Sequence, residues 1–558
     1  MARRNIADSV SRSETTVSPI NTGLWRKIAP LYQTKKSPCT HFCPCAENIP
    51  VWMDLVRKRK FEDAWRILTG ENPFPLVCGR VCYRFCEKEC NRKGIDDRVS
   101  INAVERFLGE YGVAHHLRPA VSAEKHLKEV RVAIIGGGPA GLSAAHFLAK
   151  ERCSVTIYDA HKELGGLLRY GIPQYRLPKQ LLELELQNMI YALGVKTKMR
   201  CRVDERLFNK LLLENDYVLV ALGADKSKKM PGIDGQGSVV IAGLKLLSLV
   251  ANGEITQFPG STEHVCVIGG GNAAIDVART SLRLGAKKVT IIYRRTENEM
   301  PAHKDEIEAA KKEGIEFSFL TLPRLVHTEN VQNVRLSCVR MKLGDADTSG
   351  RQKPVEVPNS DFDIACNMVV YAIGEETDMA PVAAKRYRAE TEDDICGDKV
   401  IFVGDALYGP RSVSEAIASG KKAAQKIINI FANRTKASDT REVVGEADIK
   451  FVYLNERRKD PKILHEKALT REQFMRFAET TATITEDMAA IEADRCINCG
   501  NCIGCDRCLN FCPDYCITKG KDGIYTVDPD FCKGCGLCSD VCERGVINTK
   551  KEGGDGHE

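Results

Sequence analysis

Cysteines at regular intervals near the C-terminus form the most specific pattern in the chain. Two runs share the spacing CxxCxxCxxxC, and they are Cys502, Cys505, Cys508 and Cys512, and Cys532, Cys535, Cys538 and Cys542. Bacterial iron–sulfur proteins hold two [4Fe–4S] clusters with this spacing, and the fourth cysteine of each run ligates the cluster of the other run. We therefore predict that Cys542 completes the first cluster and Cys512 the second. A zinc site needs only four ligands, so zinc binding does not account for a run of three intervals that occurs twice.

A second concentration of cysteines lies near the N-terminus. Its seven members are Cys39, Cys43, Cys45, Cys78, Cys82, Cys86 and Cys90. The x3 spacings within 78–90 differ from the x2 spacing of zinc fingers and ferredoxins. Seven thiols are one short of two four-ligand clusters, and Glu105 is a candidate for the eighth ligand. On spacing alone, Glu105 is more simply explained as a surface glutamate of an amphipathic helix.

The remaining cysteines carry weaker signals. Cys496 and Cys499 form a CxxC pair that is compatible with a dithiol, half of a zinc site or free thiols near the clusters, and Cys516 is equally open. Six others are most simply core or incidental thiols, and they are Cys153, Cys201, Cys266, Cys338, Cys366 and Cys396. No two of these six have the CxxC or CxxxxC spacing of a disulfide-reductase active site.

Residues 131–159 predict a dinucleotide-binding fold. An apolar run typical of a buried strand leads into Gly136, Gly138 and Gly141 at GxGxxG spacing, and an alanine-rich helical stretch follows. The glycines permit a tight turn, close approach of a pyrophosphate and close packing of helix on strand. Asp159 ends the next strand, where an acid can bond a ribose hydroxyl. A glycine-rich turn that binds nothing is the alternative, but it does not explain these features together.

The same pattern returns later in the chain. The apolar run Val265–Ile268 is followed by the turn 269–272 (GGGN) and a helical stretch. The next strand, Val289–Tyr293, ends in Arg294 and Arg295 rather than in an acid. An arginine at this place can accommodate a 2′-phosphate, so the second site is suited to NADP. The alternative is that both arginines lie on a surface turn.

Two further stretches are placed to complete the first nucleotide site. Gly165 and Gly166 allow the backbone to approach a ligand closely. Asp405 ends the strand-like run Val400–Val403 and precedes a helix start, so it can bond the ribityl or pyrophosphate part of a flavin. A role in helix capping alone is the competing interpretation for Asp405. Met368–Ile373 is expected to return the chain to the first nucleotide domain.

Composition sets the remaining bounds. A length of 558 residues suggests about three to four domains, and a net charge of +6 on so long a chain does not indicate a nucleic-acid partner. No apolar stretch is long enough for a membrane span. The N-terminus has arginines but no apolar core of a secretory signal. We expect a cytoplasmic protein whose clustered cysteines bind metal rather than form disulfides.

At this point the chain resembles a known family. The order of a cysteine-rich segment, VRVAIIGGGPAGLSAAHFLA, LGGLLRYGIP, CVIGGGNAAIDVARTSLRLGA, VTIIYRRTENEMPA and IFVGDA is similar to that of the glutamate synthase small-subunit family. That family also includes the N-terminal half of dihydropyrimidine dehydrogenase and the large subunit of ferredoxin:NADP oxidoreductases. The resemblance covers roughly residues 38–430. The added C-terminal cluster domain resembles, in arrangement, the DsrL-type flavoprotein that accompanies dissimilatory sulfite reductase.

The resemblance implies FAD at the first fold, NADP or NAD at the second, and four [4Fe–4S] clusters. The implied FAD residues, with their neighbours, are Gly136, Gly138, Pro139, Ala140, Gly141, Asp159, Gly165, Gly166, Leu167, Arg169, Gly223, Gly404, Asp405, Ser414 and Ala416. Those for the nicotinamide nucleotide, with a neighbour, are Gly269, Gly271, Asn272, Ala273, Arg294 and Arg295, and Gly374, in the second part of the expected FAD domain, is a further cofactor-binding candidate. No catalytic side chain is expected, because the redox chemistry belongs to the cofactor.

The family also places a Gln or Glu ligand at the position of Glu105, which favours Glu105 as a ligand. Of the family's first motif, CxxCxxxxCxxxC, only the last two cysteines are present, as Cys39 and Cys43. We therefore expected the extra thiols Cys45 and Cys78 to replace the missing pair. The expected ligand sets are Cys43, Cys82, Cys86 and Glu105 for one cluster, and Cys39, Cys45, Cys78 and Cys90 for the other.

The predicted fold is α/β, with two Rossmann-like domains between an N-terminal helical iron–sulfur domain and a C-terminal 2[4Fe–4S] ferredoxin domain. The expected boundaries are 1–126 for the N-terminal domain, 127–256 and 367–430 for the FAD domain, 257–366 for the NAD(P)H domain, 431–490 for a helical connector and 491–558 for the ferredoxin domain.

The predicted activity is transfer of electrons from NAD(P)H through FAD and the clusters to a ferredoxin or a larger redox enzyme. An obligate electron-input subunit is the alternative, and a redox sensor or scaffold whose clusters do not turn over is a third hypothesis. A homodimer is compatible with this interpretation.

Overall fold

The structure is a computed structural model of four units, in which the second nucleotide unit is inserted into the first. The residues it describes are 22–123, 127–233, 239–260, 262–330, 333–346, 350–379, 395–396, 399–432, 439–454, 466–521 and 523–552. Residues 1–21, the start of the expected N-terminal domain, lie outside them. The described parts confirm the predicted α/β class with helical and iron–sulfur flanks.

The N-terminal unit is built from short helices that carry the first group of cysteines. Its elements are β1 (Ile28–Tyr32), α1 (Pro38–Phe42), α2 (Ile49–Arg57), α3 (Phe61–Thr69), α4 (Pro75–Val81), α5 (Phe85–Lys88) and α6 (Ile101–Ala114). Both α1 and α4 begin at a proline, whose missing N–H costs nothing in a first turn. Each ends at a cysteine in extended conformation, Cys43 or Cys82. The helix ends therefore hold these thiols at fixed positions.

The first nucleotide unit is a five-stranded parallel sheet in the order β16-β5-β2-β3-β4. Its strands are β2 (Arg131–Ile135), β3 (Ser154–Tyr158), β4 (Lys196–Lys198), β5 (Tyr217–Val220) and β16 (Val400–Phe402). The helices are α7 (Pro139–Lys150), α8 (Leu167–Tyr170), α9 (Lys179–Met189), α10 (Glu205–Glu214), α14 (Asp405–Tyr408) and α15 (Val413–Phe431). The strand order reverses beside β2, so a ligand is expected at the carboxyl end of that strand.

The second nucleotide unit is a parallel sheet in the order β10-β9-β8-β14-β7. Its elements are β7 (Val240–Ala242), α11 (Gly243–Ala251), β8 (His264–Ile268), α12 (Asn272–Arg283), β9 (Lys288–Ile292), α13 (Lys304–Lys312), β10 (Glu316–Ser318) and β14 (Met368–Tyr371). An antiparallel sheet of β11 (Thr321–Asn330), β12 (Asn333–Ala346) and β13 (Gln352–Cys366) is inserted before β14.

The boundaries of this second unit differ from the expected ones. Met368–Ile373 was expected to return to the first domain, but β14 pairs with β8 and β7 inside the second sheet. β7 likewise lies before the expected start at 257. The chain crosses between the units on a two-stranded antiparallel ribbon, β6 (Lys226–Ser227) and β15 (Glu375–Glu376). An apolar run alone does not reveal which of two sheets it joins.

The connector is not the mostly helical segment that its charge pattern predicted. Its described residues contain two single-turn 3-10 helices (Glu446–Asp448 and Phe451–Tyr453) and the short helix α16 (Arg471–Met475) before α17 (Glu486–Asp494) begins. Between them the chain is an extended strap: the N–H of Thr480 donates to the carbonyl of Tyr175, and Arg106 donates to the carbonyl of Thr481. The strap thus contacts both the first nucleotide unit and the N-terminal helices.

The C-terminal unit contains two short helices and three strands. They are α18 (Arg507–Asn510), α19 (Leu537–Asp540), β17 (Ile517–Lys519), β18 (Tyr525–Val527) and β19 (Ile547–Lys551). The N-terminal strand β1 pairs antiparallel with β19, with Ile28 opposite Lys551 and Tyr32 opposite Ile547. Residues Ile28–Tyr32, near the start of the chain, are therefore a strand of the C-terminal unit. The two ends of the described chain are joined by backbone hydrogen bonds.

Candidate functional site

The first glycine-rich turn has the geometry that its spacing predicts. Gly136 has a φ of 109°, and a Cβ on it would lie 2.2 Å from the carbonyl oxygen of Ala221. A Cβ on Gly141 would lie 2.1 Å from the carbonyl oxygen of Gly136. Both positions therefore require glycine, the first for the turn and the last for the close packing of α7 on β2.

The middle glycine faces open space instead. The nearest atom to a Cβ on Gly138 would be the Cα of Gly166, at 3.9 Å. Gly166 has a φ of 52°, and a Cβ on it would lie 2.8 Å from the Cα of Gly138. The two glycines form a cradle in front of the N-terminus of α7. A pyrophosphate fits here, because backbone N–H groups and the helix dipole favour negative charge.

Asp159 lies behind this turn and is buried, with 6% of its surface exposed. Its carboxylate accepts hydrogen bonds from the N–H of Gly137 at 2.7 Å and the N–H of His161 at 2.8 Å. Burial would raise the pKa of Asp159, but hydrogen bonds from the His161 ring and from both backbone N–H groups outweigh it and hold the pKa below its usual value. Asp159 is therefore an anion that orders the turn.

The turn opens into a cavity of about 490 Å³. Ten of the predicted FAD residues line it, and they are Gly136, Gly138, Pro139, Ala140, Asp159, Gly166, Leu167, Gly223, Asp405 and Ala416. Gly141, Gly165, Gly404 and Ser414 lie behind its wall rather than on it. The cavity also receives side chains that sequence reasoning did not single out, among them His161, Lys245 and Arg411.

Arg169 does not point into this cavity, in contrast to the prediction. Its guanidinium is buried, donates to the carbonyl of Leu164 at 2.6 Å and forms ion pairs with Glu163 and Glu183 at 2.9 and 2.7 Å. The two carboxylates and the Leu164 carbonyl accept hydrogen bonds from its N–H groups, so the guanidinium is not directed at the cavity. Arg169 therefore supports the loop that contains Gly165 and Gly166.

The second glycine-rich turn opens into a larger cavity, of about 970 Å³. All six residues expected for the nicotinamide nucleotide line it: Gly269, Gly271, Asn272, Ala273, Arg294 and Arg295. Gly374, expected in the FAD domain, lines this second cavity as well. Gly269 has a φ of 142° and approaches the Ala372 carbonyl. No atom of the described residues would lie within 4 Å of a Cβ on Gly271.

The two predicted arginines occupy different environments. Arg294 is exposed on the cavity, whereas Arg295 is buried, with 5% exposure, and donates to the carbonyl of Gln352 at 2.8 Å. Lys229 and Arg351 also line this cavity. The surface-turn alternative therefore fails for Arg295, and Arg294 is the better placed of the two for a 2′-phosphate.

Tyr83 links the N-terminal unit to this second turn. Its hydroxyl accepts a hydrogen bond from the side-chain amide of Asn272 at 2.7 Å, and the Asn272 oxygen accepts from the N–H of His303 at 2.9 Å. The rings of Tyr83 and His303 stack with centroids 5.9 Å apart. Sequence reasoning missed Tyr83, because no local spacing shows that it reaches a turn in a different unit.

The two cavities meet. Five residues line both of them: Leu167, Ala224, Asp405, Arg411 and Ser412. Asp405 begins α14, and its carboxylate accepts from the N–H of Arg411 at 3.1 Å. Burial raises the pKa of Asp405 to about 6. Asp405 therefore lines the junction of both cavities and does not serve as a helix cap alone.

The N-terminal cysteines approach the first cavity at the start of α15. The thiol of Cys45 donates to the carbonyl of Ser414 at 3.5 Å, and the thiol of Cys82 donates to the hydroxyl of Ser414 at 3.8 Å. Ser412, two residues earlier, lines both cavities. A hydrogen bond from Cys45 lowers the pKa of Cys43 to about 7, which favours a thiolate.

Glu105 is buried, with 6% exposure, so the surface interpretation is wrong. Its carboxylate accepts from the side-chain amides of Asn72 at 3.0 Å and Asn102 at 3.3 Å. Burial, and then the negative charge of Cys43, raise its pKa well above the usual value. A buried carboxylate without a cation is costly, so this position suits a metal ligand.

The structure does not bring the expected set Cys39, Cys45, Cys78 and Cys90 together. Cys45 and Cys78 lie in the core of the first nucleotide unit, whereas Cys39 and Cys90 pack in a separate core beneath α2, α6 and α17. Cys496 packs against that second core as well. The extra thiols at 45 and 78 therefore do not complete a site with Cys39 and Cys90.

The C-terminal cysteines fall into two groups around two small cavities. One cavity is lined by Cys502, Cys505, Cys508 and Cys542, and the other by Cys512, Cys516, Cys532, Cys535 and Cys538. These groups match the crossed ligand pattern that the spacing predicts. Cys516 is an additional thiol, 3.4 Å from Cys512 sulfur to sulfur.

Membrane-spanning helices and sites for a single metal ion are both absent from the described residues. These residues contain no helix long and apolar enough to cross a membrane. They also contain no group of three or more His, Cys, Asp or Glu side chains spaced for a single metal ion. A [4Fe–4S] cluster needs thiols spread around four irons, which is a wider arrangement.

Family models match most of the chain. The pyridine nucleotide-disulphide oxidoreductase model matches residues 130–420, the dihydropyrimidine dehydrogenase domain II 4Fe-4S model residues 31–117, and a 4Fe-4S dicluster model residues 501–546.

Curated relatives resemble larger parts of the chain. The beta subunit of NADP(+)-dependent formate dehydrogenase from Moorella thermoacetica is 33% identical over 83% of this chain and 70% of its own length. The beta subunit of NADPH-Fe(3+) oxidoreductase from Geobacter sulfurreducens is 38% identical over 62% of this chain and 52% of its own length. The small chain of glutamate synthase [NADPH] from Escherichia coli K12 is 31% identical over 70% of this chain and 88% of its own length. The pyridine nucleotide-disulphide oxidoreductase model covers more than half of the chain and both glycine-rich turns. The chain therefore belongs to the pyridine nucleotide-disulphide oxidoreductase family.

Proposed function

We propose that this chain takes electrons from NADPH and passes them through FAD and [4Fe–4S] clusters to a redox partner. FAD, when bound, accepts the hydride of the nicotinamide and releases its two electrons singly. The chain supplies the two glycine turns, the junction of the cavities and the cysteine sites. No side chain is required as acid or base for hydride transfer.

One observation carries this proposal: the two nucleotide cavities share five lining residues, and Ser414, beside that shared lining, contacts two cysteines. Leu167, Asp405 and Ser412 line both cavities, so a ring in one can face a ring in the other. Ser414, on the same turn of α15 as Ser412, accepts hydrogen bonds from Cys45 and Cys82. The arrangement suits entry of electrons as hydride and exit as single electrons.

The middle cysteines argue against a disulfide-reductase activity within this family. Cys201 is the only one of the six that lines the first cavity. Cys266, Cys338 and Cys366 are buried together in a core beneath the second sheet. A redox-active pair at the flavin is therefore missing from the described residues, and the clusters are the better electron acceptors.

The electron acceptor is proposed to be a ferredoxin or a larger enzyme. Three relatives are named as a beta subunit or small chain, which supports the alternative of an electron-input subunit that works only with its catalytic partner. We place the chain in the cytoplasm, because its unpaired cysteines fit a reducing compartment.

An anaerobic titration tests the proposal. The reconstituted full chain is titrated with NADPH and, separately, with NADH, while flavin and iron–sulfur absorbance are followed together. Bleaching of both by NADPH is expected. Bleaching of the flavin alone would contradict a path from flavin to clusters in the isolated chain and favour the partner-dependent subunit. No bleaching by either nucleotide would overturn the proposed function.

A further inference from the structure

The dithiol Cys496–Cys499 is the strongest feature that the proposed function leaves unused. It lies between the matched ranges 31–117 and 501–546, so neither iron–sulfur model includes it. It follows α17, directly before the first C-terminal cysteine run. Both thiols are free, and Cys499 is buried.

The segment that carries this dithiol is fixed to the N-terminal helices by buried polar contacts. Arg495 is fully buried, and its guanidinium contacts Asp96 at 3.0 Å and the carbonyl of Asp97 at 2.6 Å. In return, Arg92 donates to the carbonyl of Arg495 at 3.0 Å. The N–H of Ser100 donates to Glu492 at 2.6 Å. Residues between α5 and α6 thus determine where the dithiol lies.

These contacts bring the dithiol to two cysteines from the other end of the chain. Asn91, the residue after Cys90, donates its side-chain amide to the sulfur of Cys499 at 3.7 Å. Cys39, Cys90 and Cys496 pack in the same core. The N–H of Lys35 donates to the carbonyl of Gly500 at 2.9 Å, which draws the strand before Cys39 against the end of the dithiol.

The four thiols are largely withdrawn from solvent: Cys39 and Cys499 are buried, and Cys90 and Cys496 are partly buried. Thiolates packed together in this way repel one another, so they need a cation to hold them deprotonated.

We propose that Cys39, Cys90, Cys496 and Cys499 ligate one [4Fe–4S] cluster, two ligands coming from each end of the chain. Four cysteines are the usual ligand set of such a cluster. This set replaces the one expected from the sequence, in which Cys45 and Cys78 filled the two missing places. It shares with the proposed function only the premise that the N-terminal unit binds iron–sulfur clusters.

The position of this site gives it a role as the relay between the two cluster regions. On one side, Cys86 packs in the same core as Cys39, and Cys43 packs against that core. On the other side, the N–H of Gly500 donates to the carbonyl of Arg544 at 2.8 Å, and Arg544 lines the cavity of Cys502, Cys505, Cys508 and Cys542. Electrons that leave the flavin side can thus reach the C-terminal clusters through it.

The test compares two double variants of the full chain. Cys496→Ala with Cys499→Ala should lose about four irons per chain, one cluster's content, and one cluster signal in EPR of the reduced protein. Cys45→Ala with Cys78→Ala, also buried cysteines, is the matched control and should keep all iron. Loss of a cluster from the control and not from the 496/499 variant would overturn the proposal in favour of the earlier set.

A single variant checks that the ends of the chain share the site. Cys39→Ala should remove the same EPR signal, and combining it with the 496/499 variant should remove no further iron. A further loss of a second cluster in the combination would overturn the shared site. If the alanine variants do not fold, Cys499→Ser must alter the spectrum of one cluster only, and unchanged spectra would overturn the proposal.

The flavin keeps this test distinct from that of the proposed function. Bound FAD and its bleaching by NADPH should persist in the 496/499 variant, because neither Cys496 nor Cys499 lines the first cavity. Failure of NADPH to bleach the flavin in the parent chain would contradict the proposed function and leave the iron result to decide the ligands.

Discussion

The two glycine-rich turns share a backbone geometry but enclose very different spaces. A Cβ on Gly138 would meet only the Cα of Gly166, at 3.9 Å, and buried Asp159 lies behind this turn, which opens into a cavity of about 490 Å³. Nothing described lies within 4 Å of a Cβ on Gly271, in a cavity of about 970 Å³. The first turn suits a group that stays bound, and the second suits a nucleotide that enters and leaves at each turnover.

The largest expected effect comes from the last glycine of the first turn. Gly141→Val places side-chain atoms against the carbonyl oxygen of Gly136, which a Cβ alone would meet at 2.1 Å. We expect loss of about 3 kcal/mol or more of stability and of most bound flavin. Flavin content and thermal melting measure this. Gly260→Val is the control, because no described atom surrounds Gly260, and full flavin content in the Gly141 variant would contradict the packing role.

The middle glycine of the second turn should separate nucleotide binding from folding. Gly271→Ala adds a methyl group into empty space, so the chain should fold and keep its flavin. Because the methyl group fills the place of the pyrophosphate, KM for NADPH should rise by about thirtyfold, or ~2 kcal/mol. Steady-state kinetics with an artificial dye measure it against Gly260→Ala. An unchanged KM would mean that the pyrophosphate lies elsewhere.

The unequal environments of the two arginines should produce unequal effects. Arg294→Ala should raise KM for NADPH by about fivefold, or ~1 kcal/mol, a modest effect because an exposed ion pair is screened by solvent. KM for NADH should not change, because NADH has no 2′-phosphate. Arg295→Ala should lower the melting temperature and weaken both nucleotides alike, because its guanidinium holds the carbonyl of Gln352. The ratio of kcat/KM for NADPH to kcat/KM for NADH is measured for both variants. If Arg295 rather than Arg294 binds the 2′-phosphate, the two variants should exchange their phenotypes.

The smallest effect concerns pH at the junction of the cavities. Burial raises the pKa of Asp405 to about 6, with Glu415 and Glu375 adding to it and the N–H and charge of Arg411 opposing it. Because the folded pKa lies above the unfolded value, stability is lost as pH rises from about 4 to 6. Asp405→Asn should therefore melt about 2 °C above the parent at pH 7.5, and less so at pH 5. Asp225→Asn, at an exposed carboxylate of the same cavity, is the control; a pH-independent difference would contradict the titration.

Local patterns predicted the sheets and turns well, because their signals lie within a few residues. The strand before Gly136 and the strand before Gly269 both lie where the apolar runs indicate. The C-terminal ligand groups also follow from spacing alone. In contrast, the sequence did not show that β14 joins the second sheet, since either sheet could accept an apolar strand.

The harder cases are those in which distant segments meet. Spacing alone favoured a surface position for Glu105, and only the family resemblance indicated a ligand, because the packing of α4 on α6 that buries it joins separate segments. Arg169 is held by carboxylates that spacing does not reveal. Cys45 and Cys78 were assigned with Cys39 on the basis of number alone. The spacing of Cys496 and Cys499 shows that they form a pair. It does not show their proposed partners, Cys39 and Cys90, which lie near the other end of the chain.

The contacts of α17 and β19 with the start of the chain have a consequence for biosynthesis. The N-terminal helices leave the ribosome early, yet Ser100, Arg92 and strand β1 find their partners only in the last part of the chain. At about 5 to 20 residues per second, that delay amounts to tens of seconds. During this interval the early thiols are accessible to oxidants. Iron–sulfur assembly in the N-terminal unit is therefore expected to follow translation and to depend on an intact C-terminus, so that truncated chains remain incomplete and open to degradation.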